Sequence, residues 1–413
     1  MKFTFVLPDM SWLWDYKNQF SLGILYLSTQ IKGVGGKVDL YDTNCKSIDS
    51  IPPANVFAFS VVHATYYSAI ELAKKIKSKY PGSQVIIGGV HPTTSPDIDP
   101  VFDSVFIGQS ELTILEYIND LKVGQPKKRY IQSEPFKTLD DFVPDRSLLP
   151  DDYLRTASIF TGGKTYSEGG STGIMFSRGC PYKCHFCSSP VSYGGRVLLK
   201  GIPAIKKEVE SIINDYGIRQ FRVQDDTFTF NKKWLGELHD ALKPLDIYYR
   251  CSTRANTVDY KTIETLYDFG CREIGMGIEV ADNDALKTLD KRVTVEQIEK
   301  AIAIIRQFPI VLRGFFMIGM PIDTMKTVNA NIDFIERNKL DNVVVGRFYP
   351  FPGCEMAINK ERYGIKEIKP TSCLSIAQHL PLIPNIIRTD MTEGKHIEIM
   401  RVFFDYLVKK GFL

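Results

Sequence analysis

The chain alternates strand-like and helix-like segments in two successive series, and this alternation constrains its fold more than any other feature. In the first series, short apolar runs predict strands, and amphipathic segments at helical spacing predict helices. The strands are predicted at 2–7, 37–41, 56–60 and 84–87, and the helices at 22–32, 67–79 and 111–122. Strands that alternate with helices form parallel sheets, so residues 1–125 are predicted to form a doubly wound, Rossmann-like α/β domain.

The second series begins at residue 171 and is more regular. Its strands are predicted at 173–177, 220–224, 248–251, 273–276, 311–317 and 342–348, and its helices at 202–216, 232–243, 259–269, 294–308 and 327–338. Six βα units in series predict a partial (β/α)6 barrel over residues 171–350, with its chemistry at the carboxyl ends of the strands.

Two further segments complete the predicted domain organisation. Residues 126–170 are punctuated by proline and glycine and are interpreted as a linker. Residues 351–413 are interpreted as a C-terminal cap that would close the barrel mouth, and an amphipathic helix is predicted within it at 396–409.

Composition excludes several classes of protein. A length of 413 residues suits two domains and an extension, and a net charge of +3 gives no reason to expect nucleic acid as a partner. The most apolar long stretch, 301–321, contains Arg306 and Arg313, so no membrane span is predicted. Asp9 interrupts the apolar N-terminal run, which argues against a signal peptide. The absence of a Gly-x-Gly-x-x-Gly motif gives no indication of a nicotinamide or flavin dinucleotide.

Three cysteines lie in one short loop after the first predicted barrel strand. Cys180, Cys184 and Cys187 have the spacing Cys-x3-Cys-x2-Cys, which suits three corners of a [4Fe–4S] cluster and leaves one iron open to a small molecule. A zinc knuckle would need a fourth ligand, and His185 lies between two of the cysteines, where it can hardly reach the same metal. A disulfide with a spare thiol would need an oxidising compartment.

The other five cysteines are scattered along the chain. Eight cysteines in a chain of this length, three of them clustered, suit a reducing cytoplasm, which is the predicted localisation. The scattered residues are predicted to be free thiols that bind no cluster: Cys45, Cys251, Cys271, Cys354 and Cys373.

The cysteine loop resembles that of the radical S-adenosylmethionine (SAM) superfamily. The resemblance rests on the cysteine spacing, on Phe186 before the last cysteine and on the apolar run at 173–176. The sequence Ser-Arg-Gly-Cys-Pro-Tyr-Lys-Cys-His-Phe-Cys-Ser is most similar to those of the branch with an N-terminal cobalamin-binding domain. Sequence segments at 21–27, 85–92 and 107–111 extend this similarity, which covers roughly the first 355 residues.

The resemblance implies that SAM is bound at successive strand ends. Carboxylate and hydroxyl oxygens would accept hydrogen bonds from its ammonium group, a guanidinium would pair with its carboxylate, and a further carboxylate would bind the ribose hydroxyls. The residues implied are Asp225, Asp226, Thr227, Ser252, Arg254, Glu279 and Gly319, together with Phe186 from the cysteine loop. The segment 291–294 resembles a helix start of the family and is interpreted as structural.

The resemblance also implies a cobalamin site at the carboxyl strand ends of the first domain. Glycine would let the flat corrin approach the backbone closely. The residues implied are Val61, His63, Gly88, Gly89, Val90, Gly108 and Glu111. The Asp-x-His-x-x-Gly motif is absent, so no histidine of such a motif is expected on cobalt. A domain that keeps this fold without its corrinoid stays open as an alternative.

As a whole, the resemblance implies a cobalamin-dependent radical SAM enzyme that methylates an unactivated carbon of a small molecule. Its family mechanism uses a 5′-deoxyadenosyl radical and methylcobalamin, with an electron donor of the flavodoxin or ferredoxin type. One alternative is an oxidase, cyclase or rearrangement enzyme without methyl transfer, and another is a corrinoid carrier. A methylthiotransferase is disfavoured because only Cys45 lies in the first domain, where a second cluster would need three cysteines.

Overall fold

The computed structural model describes all residues except 11–12, 14–15, 18–19, 96, 133–135, 157–158 and 371–381. The chain divides into two compact units, Met1–Leu154 and Arg155–Leu413. The boundary between them falls within the segment 126–170. In the described residues, no helix is both long enough and apolar enough to cross a membrane.

The first unit is built on a six-stranded parallel sheet. Its strands are β1 (Lys2–Leu7), β2 (Lys37–Asp42), β3 (Val56–Ser60), β4 (Gln84–Gly88), β5 (Ser104–Ile107) and β6 (Arg129–Ile131). Their order is β2-β1-β3-β4-β5-β6, and every neighbouring pair is parallel. The chain order reverses at β1 and β3, the kind of switch point at which open α/β sheets bind ligands.

Helices connect these strands and cover the sheet. They are α1 (Leu22–Gly33), α2 (Tyr66–Lys79), α3 (Val90–Thr94), α4 (Thr113–Lys122) and α5 (Asp151–Leu154). Ala69, Ala73 and Ile76 share one face of α2 and pack into a core with Phe57 and Phe59 of β3. Small and branched side chains at helical spacing therefore fix this helix on the sheet.

The second unit contains a parallel sheet of the half-barrel type. The strands of this part of the unit are β7 (Ser171–Ile174), β8 (Ser177–Arg178), β9 (Leu198–Leu199), β10 (Gln220–Val223), β11 (Tyr248–Thr253), β12 (Cys271–Glu279), β13 (Val311–Ile318) and β14 (Asn342–Arg347). The sheet order is β14-β13-β12-β11-β10-β7, whereas β8 and β9 form a separate antiparallel pair. The strand predicted at 173–177 ends earlier, because the Phe176 N–H leaves the ladder and donates to Asp225.

Among the described residues of this unit, nine α-helices accompany these strands. They are α6 (Ser189–Tyr193), α7 (Ile202–Tyr216), α8 (Lys232–Leu242), α9 (Tyr260–Asp268), α10 (Asn283–Thr288), α11 (Val295–Ile305), α12 (Met325–Asn338), α13 (Glu355–Ile358) and α14 (Glu393–Lys409). Side-chain caps mark several of the starts: Asn231, Asp259, Thr294 and Thr324 each accept a hydrogen bond from a first-turn N–H. Local sequence thus places the starts of the barrel helices.

Alternate residues of the barrel strands face opposite sides. On β13, Leu312, Phe316 and Ile318 are buried, and the Phe316 ring lies 6.3 Å from that of Phe334 on α12. Arg313 and the other intervening residues are less buried and face the inner side of the sheet. Among these inward-facing residues of β13, Arg313 is the charged one.

Helix α14 lies beside β13 and the turn that follows it, where Met400 Sδ would be 3.4 Å from a Cβ at Gly319. Its Phe403 ring lies 5.8 Å from that of Phe316, and its Tyr406 hydroxyl donates to Glu336 of α12 at 3.1 Å. The helix therefore packs beside α12 on the helix-covered side of β13. The C-terminal segment also forms an antiparallel pair, β15 (Ile365–Ile368) and β16 (Ile386–Arg388).

Candidate functional site

The cysteine loop follows β7 and is fixed by backbone contacts on two sides. Gly179 has a φ of 90°, and a Cβ there would lie 2.1 Å from the Arg196 carbonyl, so only glycine fits. On the other side, the His185 N–H donates to the Leu289 carbonyl at 3.0 Å. The loop is thereby held at the carboxyl end of the first barrel strand.

Its three cysteines are free thiols, and Cys184 is buried. Burial raises the pKa of Cys187 to about 12, so the charged thiolate needs a nearby positive centre. Within the described ranges, no three His, Cys, Asp or Glu side chains lie close enough to hold one metal ion. A single tetrahedral zinc would bring sulfurs to about 3.8 Å from one another. The donor set suits the corners of a cluster, which are further apart.

His185 is turned away from a shared metal position. Its Nδ1 lies 2.9 Å from the Thr288 carbonyl oxygen and 3.0 Å from the Tyr363 hydroxyl. The ring is therefore committed to contacts outside the loop, as its position between two cysteines predicts.

Asp225 and Asp226 follow β10 and contact both ends of the cysteine loop. Asp225 is buried and accepts hydrogen bonds from the Phe176 N–H at 2.9 Å and the Ser177 hydroxyl at 2.5 Å. Burial raises the pKa of Asp225 to about 7. Asp226 is exposed and accepts a hydrogen bond from Ser189 at 2.5 Å. Of the two carboxylates, only Asp226 is open to a ligand.

Thr227 and Arg254 contact cysteine sulfurs directly. The Thr227 hydroxyl lies 3.4 Å from Cys180 Sγ, and an Arg254 NH group donates to Cys184 Sγ at 3.0 Å. The Arg254 guanidinium also donates to the Lys291 carbonyl and lies 3.9 Å from the centre of the Tyr182 ring. Arg254 was predicted to pair with a SAM carboxylate, but here it is bound to the cysteine loop. Sequence reasoning missed this contact.

The predicted site residues Ser252 and Phe186 are both half-buried. Ser252 lies on β11, two positions before Arg254, and its carbonyl accepts the Phe228 N–H at 2.9 Å. The Phe186 ring centre is 5.8 Å from Lys291 Nζ.

Glu279 ends β12 and forms a buried ion pair that the sequence analysis did not find. Lys291 Nζ lies 2.6 Å from Glu279 Oε1, and the two side chains are 5% and 12% exposed. Glu279 has a φ of 68°, and a Cβ at Gly277 would lie 2.6 Å from its Oε1. Lys291 therefore belongs to the site, although the segment 291–294 was interpreted as structural only. Thr294 in that segment does cap α11.

Gly319 follows β13 with a φ of 85° and is held by a buried carboxylate. Asp323 accepts hydrogen bonds from the N–H groups of Gly319 and Met320 at 2.7 and 2.9 Å. Burial raises the pKa of Asp323 to about 7. The sequence analysis missed Asp323, because its contacts with Gly319 and Met320 follow no local pattern that the sequence shows.

In the first unit, Gly89 is required by the backbone itself. It has a φ of 104°, and a Cβ there would lie 2.5 Å from the Val61 carbonyl oxygen. The Val61 N–H donates to the Gly88 carbonyl at 2.9 Å, which ties the two strand ends together. A larger residue at Gly89 would disturb this contact whether or not a corrin binds, so such a variant does not test corrin binding.

His63 and His91 lie against each other at these strand ends. Their ring centres are 4.9 Å apart, and His91 stacks on Tyr66 at 3.8 Å. His63 Nε2 lies 3.0 Å from the Thr94 hydroxyl, whereas neither ring nitrogen of His91 has a hydrogen-bond partner in the described part of the chain. A buried ring with two orphaned nitrogens marks a place where a polar ligand group would be stabilising.

The remaining predicted residues of this unit lie at the ends of β4 and β5. Val90 begins α3, and Glu111 is buried. Gly108 has a φ of 84°, and its N–H donates to the Thr93 hydroxyl at 3.0 Å. The strand ends β3, β4 and β5 therefore bring the predicted residues of this unit to one edge of the sheet.

These histidines give the first unit a pH-dependent stability. Burial lowers the pKa of His63 to about 4 and that of His91 to about 3, so unfolding near pH 6 takes up protons. The stabilisation is complete above the unfolded pKa of about 6.5 and is lost as the pH falls toward the folded values. Between about pH 7.5 and 5.5, we expect the free energy of unfolding to fall by about 1 kcal/mol per histidine.

Urea unfolding at the two pH values measures this effect. His91→Phe should reduce the pH slope by about half a proton over this range, because the phenyl ring keeps the stacking on Tyr66 but cannot titrate. An unchanged slope in that variant would contradict the assignment of a buried neutral His91.

The scattered cysteines lie in three different settings. Cys45 is exposed, 3.1 Å from the Tyr16 hydroxyl. Cys251 and Cys271 are buried with sulfurs 4.0 Å apart, and Cys354 is buried before α13. Cys373 lies outside the described residues.

The fold and this site define a radical SAM protein. The radical SAM superfamily profile matches residues 174–335, which include the cysteine loop and the ends of β10 to β13. The matched segment carries the radical SAM domain, and the chain is a radical SAM enzyme. The family resemblance drawn from the sequence is confirmed.

Two of its relatives are named as methyltransferases. An uncharacterized methyltransferase of Pyrococcus horikoshii is 28% identical over 365 residues, covering 81% of this chain and 77% of that protein. The bacteriochlorophyllide d C-12(1)-methyltransferase of Chlorobaculum tepidum is 27% identical over 282 residues, covering 67% of this chain and 60% of that protein.

A solved structure shares the fold. The radical S-adenosylmethionine methyltransferase TsrM from Kitasatospora setae, with cobalamin and a [4Fe–4S] cluster bound, has a TM-score of 0.63. The likeness covers 88% of this chain and 75% of that one at 16% identity, so it bears on the fold alone. That neighbour holds two of the three cofactors predicted here from the sequence.

Proposed function

We propose that this chain is a cobalamin-dependent radical SAM methyltransferase that methylates an unactivated carbon of a small-molecule substrate. The observation that carries the proposal is the convergence of three free cysteines with Thr227 and Arg254, from two neighbouring strand ends, on one loop. The methyltransferase names of the relatives support the reaction type.

The described residues fit a cluster and SAM. Cys180, Cys184 and Cys187 would be the iron ligands, and the Arg254 guanidinium would stabilise the Cys184 thiolate. Asp226 is exposed beside the loop and would accept hydrogen bonds from the SAM ammonium group. Glu279, oriented by Lys291, would bind the ribose hydroxyls.

The first unit fits a corrinoid less specifically. Val61, Gly88, Gly89, Val90, Gly108 and Glu111 would form its edge, and His91 supplies two unpartnered nitrogens there. His63 and His91 have lowered pKa values and stay neutral at pH 7, so each could donate a hydrogen bond to a corrin side-chain amide. His63 already contacts Thr94, and we infer that neither ring coordinates cobalt.

When bound, the cluster and SAM supply a carbon radical and cobalamin supplies a methyl carrier. The protein's own residues orient these groups and exclude water. Asp225 holds the two residues before the loop, and Asp323 holds the turn at Gly319, so two buried carboxylates fix the backbone on either side of the SAM position. A reductant of the flavodoxin or ferredoxin type would deliver the electron.

The test is an anaerobic assay of the reconstituted full-length protein. With SAM and a reductant, we expect 5′-deoxyadenosine, and with hydroxocobalamin present, retained corrinoid absorbance after gel filtration. With a substrate in hand, deuterated methyl-SAM should yield a product heavier by the labelled methyl group. Formation of 5′-deoxyadenosine together with an unlabelled product would instead favour an oxidase, cyclase or rearrangement enzyme.

Arg254 gives a prediction specific to the cluster. Removing its positive charge from beside Cys184 Sγ should destabilise the reduced, more negative cluster. We therefore expect Arg254→Gln to lower the midpoint potential by tens of millivolts, as followed by EPR during a redox titration. Arg272→Gln is a matched control, because Arg272 stacks on Tyr267 and does not contact the cysteine loop in the described contacts. Equal shifts in both variants would contradict a specific effect of Arg254.

A further inference from the structure

The turn that follows β13, residues 319–323, is shaped by contacts within itself. The Asp323 carboxylate accepts hydrogen bonds from the N–H groups of Gly319 and Met320, and the Asp323 N–H donates to the Met320 carbonyl at 3.1 Å. These bonds close the segment on itself. They fix the shape of this β13 turn, but they do not fix its place relative to the rest of the second unit.

A guanidinium from the C-terminal segment holds the β13 turn from outside. Arg388 lies on β16, its side chain is 3% exposed, and one of its Nη atoms donates to the Asp323 carbonyl at 2.6 Å. Its Nε and its second Nη donate to the Asp390 carboxylate at 2.9 and 2.7 Å. Because this fork fixes the plane of the guanidinium, the donor that reaches the turn has a defined position.

Helix α14 provides a second contact with the β13 turn. Met400 is buried, and a Cβ at Gly319 would lie 3.3 Å from Met400 Cε. The methionine side chain therefore packs against the bare backbone of the turn at its first residue. This van der Waals contact limits how far the turn can move toward α14.

The same segment also reaches the end of the neighbouring strand, β14. The buried Asn385 side-chain amide donates to the Phe348 carbonyl at 2.9 Å, and the Phe348 N–H donates to the Ile318 carbonyl at 2.7 Å. Ile318 is the last residue of β13. The segment 385–400 therefore contacts the carboxyl ends of two adjacent strands, and this is the end of a βα barrel that carries the chemistry.

These contacts come from outside the part of the chain that matches the radical SAM profile. The match ends at residue 335, whereas Gly319, which was predicted to bind SAM, lies within it. A turn of the matched domain is thus held in place by Arg388 and Met400 of the C-terminal segment.

We propose that Arg388 and Met400 are positioning residues for SAM, which hold the β13 turn where the backbone of Gly319 and Met320 would contact the bound cofactor. This inference rests on the proposed function, because it takes SAM as the ligand of the turn. Neither side chain touches SAM, and each acts through the backbone of the turn. Substitutions that act on a ligand through an intervening element change its affinity by about two- to thirtyfold.

Two measurements on the reconstituted full-length protein test the proposal. Hydrogen exchange of the peptic peptide that contains 319–323 reports on the turn without SAM, because Asp323 protects the N–H groups of Gly319 and Met320. Calorimetry gives the dissociation constant of SAM. In Arg388→Gln, we expect faster exchange of this peptide and SAM binding weakened about two- to thirtyfold. A wild-type value of either quantity in this variant overturns the proposal.

A matched control and a conservative variant separate positioning from a general loss of stability. Arg306→Gln breaks the same two kinds of contact at the amino end of β13, where Arg306 donates to the Asp341 carboxylate at 2.7 Å and to the Lys339 carbonyl. It should leave both quantities at their wild-type values. Arg388→Lys keeps a charged donor for the Asp323 carbonyl without the fork, so it should retain part of the SAM affinity. Equal loss of SAM affinity in Arg306→Gln and Arg388→Gln overturns the proposal.

Two milder variants give the same test if Arg388→Gln does not fold. Asp390→Asn removes the charge that fixes Arg388, and the fold should tolerate it because the Asp390 side chain is 57% exposed. Met400→Leu keeps a buried apolar side chain of similar volume but changes its shape beside Gly319. Each should speed the exchange of the turn and weaken SAM binding, and wild-type values in both variants overturn the proposal.

These outcomes separate the positioning role from the proposed function. If the wild-type protein binds and cleaves SAM and Arg388→Gln does so with the same affinity, the positioning role alone is overturned. If the wild-type protein binds no SAM, the proposed function is overturned and the positioning role with it.

Discussion

Cys184→Ala is expected to abolish reductive SAM cleavage. The variant removes one of three proposed iron ligands and leaves the Arg254 guanidinium without the sulfur that it contacts at 3.0 Å. A cluster with two protein ligands would be held poorly, so iron content after anaerobic reconstitution should fall and 5′-deoxyadenosine should drop to background. Iron analysis, EPR and chromatography of the nucleoside products measure these changes.

Cys251→Ala is the matched control. Cys251 is also buried and free, but its sulfur faces Cys271 rather than the loop. Its iron content and its 5′-deoxyadenosine yield should stay near those of the wild type. Cleavage of SAM by Cys184→Ala at the wild-type rate would contradict the proposal that the cysteine loop binds the cluster.

The second large effect is expected at the buried pair of Glu279 and Lys291. Lys291→Met leaves a buried carboxylate without its partner at 2.6 Å, which typically costs about 3–5 kcal/mol of folding free energy. We also expect weaker SAM binding, because Glu279 loses the ammonium group that orients it toward the ribose. Chemical unfolding gives the first quantity and calorimetry with SAM gives the second.

Two further variants separate stability from binding. The double variant Glu279→Gln, Lys291→Met should recover much of the stability, since no uncompensated charge is left, but should not recover SAM binding. Lys200→Met breaks a second buried pair, in which Lys200 Nζ lies 2.5 Å from Glu208 Oε2. That variant should be destabilised to a similar degree with its SAM affinity unchanged. Equal loss of SAM affinity in Lys200→Met would show that the effect at Lys291 is only structural.

The alternation of strands and helices was readable because each element leaves a local pattern. The helix predicted at 202–216 has the same bounds in the structure, Ile202–Tyr216, and Thr294 and Thr324 cap the next helices with their own side chains. Strand β6, Arg129–Ile131, was missed because three residues among prolines and glycines show no usable period. The helix predicted at 396–409 starts at Glu393 in the structure, and its amphipathic pattern alone did not indicate that it packs beside α12.

The sequence predicted which strand ends form the site, but it did not predict most of the contacts between side chains there. The cysteine spacing is local, and it led directly to the loop. The bonds of Arg254 to Cys184 and of Lys291 to Glu279 join residues 70 and 12 positions apart, and no pattern in one sequence reports such pairs. Asp225 was predicted to bind SAM because it follows a barrel strand. In the structure its carboxylate accepts a hydrogen bond from the Ser177 hydroxyl.

The anchoring of the cysteine loop has a consequence for how the protein acquires iron. Gly179 is packed against Arg196 and the backbone of His185 is bonded to Leu289, so the loop is ordered by the polypeptide alone. Fixing a flexible backbone costs roughly 1–2 kcal/mol per residue, and in this loop that entropy is lost during folding rather than during metal uptake. Cluster insertion should therefore proceed on a folded chain, without a refolding step, and iron should be removable and restorable while the far-UV circular dichroism stays constant.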